Sequence, residues 1–182
     1  MSPLTVTRAA RSHVPYHPIG ASQVASAMAA ALKGMTYTSE SDYPFTALSA
    51  SNPGKKPVSG PLVLDKFKPQ LAKMFKDDLD ASPFSVKNLA TEVWSPKETQ
   101  DWLKSNAEAS DPSDADGVKY AKAFGQVRKL IDANLTDVRM VKVGVKDEHG
   151  KFADDQGLYA LMLVGRTRDG QIAGIMTGTV ET

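Results

Sequence analysis

The segment Ser39-Glu40-Ser41-Asp42-Tyr43-Pro44-Phe45 sets two carboxylates two residues apart in a polar stretch closed by a proline. Two readings fit the residue types. Retaining glycosidases hold a pair of carboxyls about 5 Å apart as acid and nucleophile, and residues i and i+2 of a loop can reach that separation. Glu40 and Asp42 would then form an acid–base pair. Alternatively they belong to a solvated turn, where Asp and Ser side chains bond nearby backbone amides. No further polar group converges on the pair in the sequence, which weighs against catalysis.

Other residues with chemical potential are set aside on spacing. His13 and His17 straddle Pro15 with no carboxylate nearby, a poor start for a metal site. Gly165, Gly170 and Gly174 bracket a hairpin and do not open a helix, so they make no phosphate cradle. The chain has no cysteine, which removes thiolate nucleophiles, thiolate metal sites and disulfides together and suits a reducing compartment. No G-x-S-x-G or H-E-x-x-H signature occurs. The sequence predicts no cofactor and no metal ion of its own.

Charge narrows the partners. The net charge is +1 and Lys and Arg are not clustered, so direct nucleic-acid binding, which needs phosphate neutralisation, is not expected. The longest apolar stretch, Val24 to Leu32, falls far short of the about 20 residues of a membrane span. A cytoplasmic protein is expected. Residues 98–116 hold Glu98, Asp101, Glu108, Asp111, Asp114 and Asp116 against the single Lys104; such a run is ordinarily a solvated face. Within it Trp102 is a large hydrophobe for which a core role is at least as expected as a surface one. Trp94 reads as core.

At 182 residues, 41% hydrophobic and 24% charged, the chain fits one globular domain. Residues 1–20, with three prolines and no periodicity, read as a mobile tail, leaving 21–182 as the domain. Ser22 is placed to cap a helix over Gln23–Lys33, with Val24, Met28 and Leu32 on one face and Gly34 as its stop. Phe45–Ala50 reads as a short strand and 51–61 as a loop. Leu64, Phe67, Leu71, Met74 and Phe75 predict a helix over 62–76, with Pro69 as a kink or break. Pro83–Trp94 is ambiguous, and 95–116 holds at most one helical turn near Thr99–Leu103. Gly117–Leu135 is the clearest helix, its face made of Val118, Ala121, Phe124, Val127, Ile131 and Leu135. Three strands follow, Val138–Val145, Leu158–Thr167 and Gln171–Val180, with turns at His149-Gly150 and Asp169-Gly170. Helices followed by an antiparallel meander make an α+β fold, helices packed on a sheet.

Two stretches then point to a family. Ser39 to Phe45 resembles the acidic loop of the nuclease A inhibitor family of cyanobacteria. Gly170-Gln171-Ile172-Ala173-Gly174-Ile175, closing on Val180-Glu181-Thr182, resembles that family's final strand and terminus. Pro83-Phe84, Gln100-Asp101-Trp102 and the helix end Lys129–Leu135 add weaker matches. The similarity is dense over 35–45 and 118–182, poor over 46–82, and absent from 1–20. The resemblance implies an αβα sandwich like that of the pathogenesis-related proteins. It implies a non-catalytic inhibitor that binds a sugar-non-specific ββα-metal nuclease, and a monomer or a 1:1 heterodimer is expected. Mg²⁺ prefers oxygen ligands and keeps several waters, so a plug for such an active site needs oxygen donors at its tip. By resemblance these are Glu40 and the terminal carboxylate of Thr182, reaching the nuclease's metal through water, with Asp42, Asp101 and Trp102 as further contacts. Because fold does not fix function, a non-catalytic module of the same fold with a different partner stays open.

The lack of periodicity in residues 1–20 generates a first prediction. Their removal is expected to change stability by less than about 1 kcal/mol, as for surface changes away from buried features; a larger loss in denaturant melts would show that the segment docks on the domain.

Overall fold

The computed structural model describes residues 19–37, 43–75, 85–147, 149–151 and 157–181. Five strands form one antiparallel sheet in the order β1-β5-β4-β3-β2. β3 (Leu135–Val145), β4 (Gly157–Thr167) and β5 (Ile172–Glu181) are the long central meander. β1 (Thr46–Ala50) lies on β5 and β2 (Leu89–Val93) on β3. The meander agrees with the sequence pattern; the addition of one short strand to each of its sides does not follow from it. Of the two, β1 was expected and β2 lay within the ambiguous 83–94 stretch.

Alternation along the strands splits the core into two layers, because successive side chains point to opposite faces. On one face Met140, Leu161, Leu163, Ala173 and Ile175 meet Val24 and Met28 of α1 (Ala21–Ala31), Leu103 of α4 (Pro96–Asn106) and Phe124, Val127 and Ile131 of α5 (Ala115–Asn134). On the other, Val141, Val143, Ala160, Met162 and Val164 meet α2 (Gly60–Lys66) and α3 (Lys68–Met74) through Leu62, Val63 and Leu71, with Phe67 between the two helices. The fold is therefore an α+β sandwich with helices on both faces of an open antiparallel sheet.

Several expectations need correction. The first helix starts at Ala21, not Gln23; Gly20 is its N-cap and its carbonyl accepts the Val24 N–H at 3.0 Å. Ser22 thus lies inside the first turn, and Gly20 belongs to the folded unit. Gly34 closes the following turn at φ +76°, a conformation glycine adopts without penalty. The expected helix over 62–76 is two helices broken at Phe67. Pro69 sits in the first turn of α3, where its missing N–H has no helical partner to lose. The acidic stretch holds a full eleven-residue helix, α4, in place of a single turn. Ser95 and Glu98 form a capping box there: Ser95 Oγ accepts the Glu98 N–H at 3.2 Å, and Glu98 accepts the Ser95 N–H at 2.7 Å. In α5, Val118 is 40% exposed and not part of the buried face, while Leu135 is the first residue of β3, so helix and strand join without a linker.

The chain crosses itself closely in the meander. A side chain at Gly174 would bring its Cβ to 2.1 Å from the Leu163 carbonyl oxygen and 2.8 Å from Val164 Cα. Backbone cannot move aside as a flexible side-chain tip would. Gly174→Ala is expected to destabilise the fold by about 1–3 kcal/mol, the usual cost of overpacking, in urea melts; an unchanged midpoint would show that β4 and β5 can part there.

Candidate functional site

The resemblance placed five residues at the site: Glu40, Asp42, Asp101, Trp102 and Thr182. Glu40, Asp42 and Thr182 lie outside the described residues, so their surroundings are read from what flanks them. The flanks share one end of the sheet. β1 begins there at Thr46 opposite Met176, and β5 ends there with Glu181 opposite Gly157 of β4.

Segment 38–42 is anchored on both sides. Thr36 and Pro44 form an antiparallel bridge that closes its base. Beyond it, the Thr177 hydroxyl of β5 donates to the Tyr43 carbonyl at 2.8 Å. Gly178 leaves room for the Tyr43 ring; a Cβ there would lie 2.6 Å from Tyr43 Cγ. The segment's C-terminal flank is thereby fixed on β5 at Thr177 and Gly178, five and four residues before Thr182.

On the other side, Tyr37 stacks on Trp102 of α4 with centroids 6.0 Å apart and rings at 30°. The Trp102 indole N–H donates to the Tyr37 hydroxyl at 3.3 Å. Trp102 meets Phe124 edge-on at 5.4 Å, and Phe45 meets the same ring edge-on at 5.7 Å. Edge-to-face pairs add about 0.5–1.5 kcal/mol each beyond burial. Both flanks of segment 38–42 thus end on one aromatic cluster, and Trp102 belongs to that cluster while also lining the surface. Tyr120 packs on Phe124 at 4.8 Å, and burial, with Tyr37 nearby, pushes its phenol pKa up; it stays a neutral hydrogen-bond donor to Asn106 at 3.2 Å.

Asp101 stands beside Trp102 with its carboxylate 61% exposed, paired with Lys97 one turn earlier. That hydrogen bond and the Asp101 charge hold the Lys97 ammonium pKa above its ordinary value, yet an exposed pair of this kind contributes little to stability. A groove of about 640 Å³ runs between α4 and the sheet. It is lined by Tyr37, Trp94, Trp102, Glu92, Glu98 and Asp101 on its sides, with Lys142 and Leu161 also contributing. Lys142 is only 7% exposed, and its ammonium lies 4.1 Å above the Tyr159 ring centroid.

The structure therefore brings Asp101 and Trp102 to the base of segment 38–42. It adds Tyr37, Glu92, Trp94 and Lys142, none of which the sequence marked as surface-active. Glu92 and Lys142 face each other across β2 and β3, a register no local motif announces. Tyr37 could have been suspected, since it flanks the acidic segment and matches Tyr43 on its other side. Among the described residues no group of His, Asp and Glu could hold a metal ion, and no helix is long and apolar enough to cross a membrane.

Compared with known families, residues 22–182 match the nuclease A inhibitor-like proteins. The chain belongs to that family. Membership gives it a nuclease-inhibitor role in general, with a nuclease as protein partner, and does not suggest an enzyme. No curated protein matches the chain. Residues 19–21 precede the matched region, although Gly20 caps α1 of this inhibitor-like domain.

The capping box of α4 carries a pH dependence. Hydrogen bonds from the Ser95 side chain and backbone hold the Glu98 carboxyl below its ordinary pKa of 4.5. A depressed folded pKa means stability that is present above the unfolded value and lost as pH falls through the folded one. Wild type is therefore expected to shed an increment of stability below about pH 4.5 that Glu98→Gln lacks; denaturant melts from neutral pH downward check this, and identical pH profiles would refute it.

Proposed function

We propose that this inhibitor-like protein blocks a sugar-non-specific ββα-metal nuclease by plugging its Mg²⁺-containing active site. Segment 38–42 supplies the Glu40 carboxylate and Thr182 supplies its main-chain carboxylate. Asp42, Asp101 and Trp102 make flanking contacts.

The observation that carries this reading is the convergence at one end of the sheet. The chain on both sides of segment 38–42 is fixed to β5 and to α4, and β5 runs toward that same end. A plug must hold its oxygen donors in place before it meets the metal, because ordering loose groups on binding costs affinity. The Tyr37–Trp102 stack and the Thr177–Tyr43 hydrogen bond support such preorganisation. The chemistry is that of a competitor for the scissile phosphate. A nuclease metal stabilises phosphoryl oxygens through charge, and carboxylates approaching its water shell occupy the place of those oxygens. Inhibition on this reading needs no group transfer and no cofactor of the inhibitor's own. It also explains how a chain without clustered Lys and Arg can act on nucleic-acid metabolism: it imitates the anion and does not bind it.

Both donors can be tested in one series against a susceptible ββα-metal nuclease. Glu40→Gln is expected to weaken inhibition by about 2–5 kcal/mol, the cost of truncating one partner of a desolvated charge contact. Deleting Thr182, or extending the chain beyond it, withdraws or neutralises the second carboxylate and is expected to cost at least tenfold, about 1.4 kcal/mol. Thermal melts should stay near wild type in all three. Equal potency of the four proteins would remove both donors from the mechanism and leave a binding module of this fold with another partner.

A further inference from the structure

A second cavity, of about 320 Å³, opens between the start of β1 and the end of α3. Tyr43, Pro44 and Ala47 wall one side of it, and Gln70 and Met74 of α3 the other. Met176 of β5, 5% exposed, closes it below. Met176 belongs to the core layer under α2 and α3, so this cavity lies on the sheet face opposite α4 and shares no lining residue with the α4 groove. Its walls are mostly apolar, with one polar exception. Gln70 Oε1 is shut off from water and, among the described residues, accepts no hydrogen bond. An acceptor buried without a partner lowers stability, and native folds leave few of them. The terminal torsion of a glutamine is soft, so the amide can turn its oxygen toward a donor that enters the cavity. Lys73 is exposed at the rim and adds a positive charge there.

We propose that this cavity binds a small phenol carrying a carboxylate. Size sets the first limit. Pockets for drug-sized ligands span about 300–1,000 Å³, so a cavity at the low end takes one ring with a short tail. The walls select the ring. Thioethers make favourable contacts with aromatic rings, and Met74 and Met176 present two of them, with the Tyr43 ring as a further aromatic surface. The phenol hydroxyl donates to Gln70 Oε1, which removes the unpaired acceptor. The carboxylate faces Lys73, an exposed contact that sets orientation more than affinity. An aliphatic guest of the same volume would leave Gln70 unpaired. The site does not rest on the plug reading, since none of Glu40, Asp42, Asp101, Trp102 and Thr182 lines it.

The test titrates the full chain, labelled at its methionine methyls, with 4-hydroxyphenylacetate. The methyl resonances of Met74 and Met176 are expected to shift to saturation. Those of Met28 and Met140, buried on the other face of the sheet, should stay in place. Phenylacetate, which lacks the hydroxyl, should bind about tenfold more weakly, the worth of roughly one hydrogen bond. Gln70→Leu removes the unpaired acceptor, so it should melt no lower than wild type and bind the two acids equally. Ala47→Phe places a ring in the cavity from an exposed strand position and should abolish the response, with the fold checked by thermal melts. Four outcomes would each overturn the proposal: no saturable shift in wild type, equal affinity of wild type for the two acids, a preference for the phenol that survives Gln70→Leu, or full binding by folded Ala47→Phe.

Discussion

Phe124 of α5 is fully buried, and three other rings close on it: Phe45, Trp102 and Tyr120. Tyr37 reaches the same cluster through Trp102. These five rings come from the stretch before β1, from α4 and from α5, so one packing contact ties three stretches of chain that are distant in sequence. The candidate site is built directly on this contact. Tyr37 and Phe45 bound the acidic segment, and Trp102 is at once a core ring and a wall of the groove. Rings are large and have few torsions, so they position neighbouring groups at modest entropic cost. The residues that flank the acidic segment are thereby fixed on the core.

The other end of the sheet is held by charge and amide chemistry instead. Asp137 sits in a bulge of β3 at φ +51°. Its carboxylate accepts the Val58 N–H at 2.8 Å and pairs with Arg139 at 3.0 Å and Arg166 at 3.5 Å. Asn52 donates to the carbonyls of Lys56 and Gly170, both at 3.0 Å. These bonds fasten the 51–59 connection to the β4–β5 turn. A stretch with little periodicity is thus fixed by side chains that replace the backbone ladder it lacks.

What the sequence made legible, and what it hid, follows from how each element is stabilised. α1, α5 and the three central strands bury continuous faces, and their periodicity predicted them within a few residues. α4 was underestimated because it buries only Thr99 and Leu103. Its signal lay in the Ser95-Pro96-Lys97-Glu98 start, a capping box with proline in the first turn, and not in its hydrophobicity. β2 escaped because Leu89 is its one buried residue and its pairing with β3 bridges a long stretch of chain. The break at Phe67 was visible as Pro69 but not its outcome, two helices that still share one buried row. At the site, Asp101 and Trp102 came forward only through family resemblance. The Glu92–Lys142 pairing depends on strand register, which is a property of the assembled sheet.

The two outermost strands are also the shortest, five residues each beside ten or eleven in the meander. β1, Thr46-Ala47-Leu48-Ser49-Ala50, carries no charge, although lysines and other charges are a common means of discouraging strand addition at an exposed edge. Brevity takes their place, together with Pro44 and Pro53 beyond its two ends, since proline cannot donate to a growing ladder. An incoming strand finds a template of five residues, too short to hold it on backbone hydrogen bonds alone. Protection from aggregation is therefore written into the length of this sheet's margins.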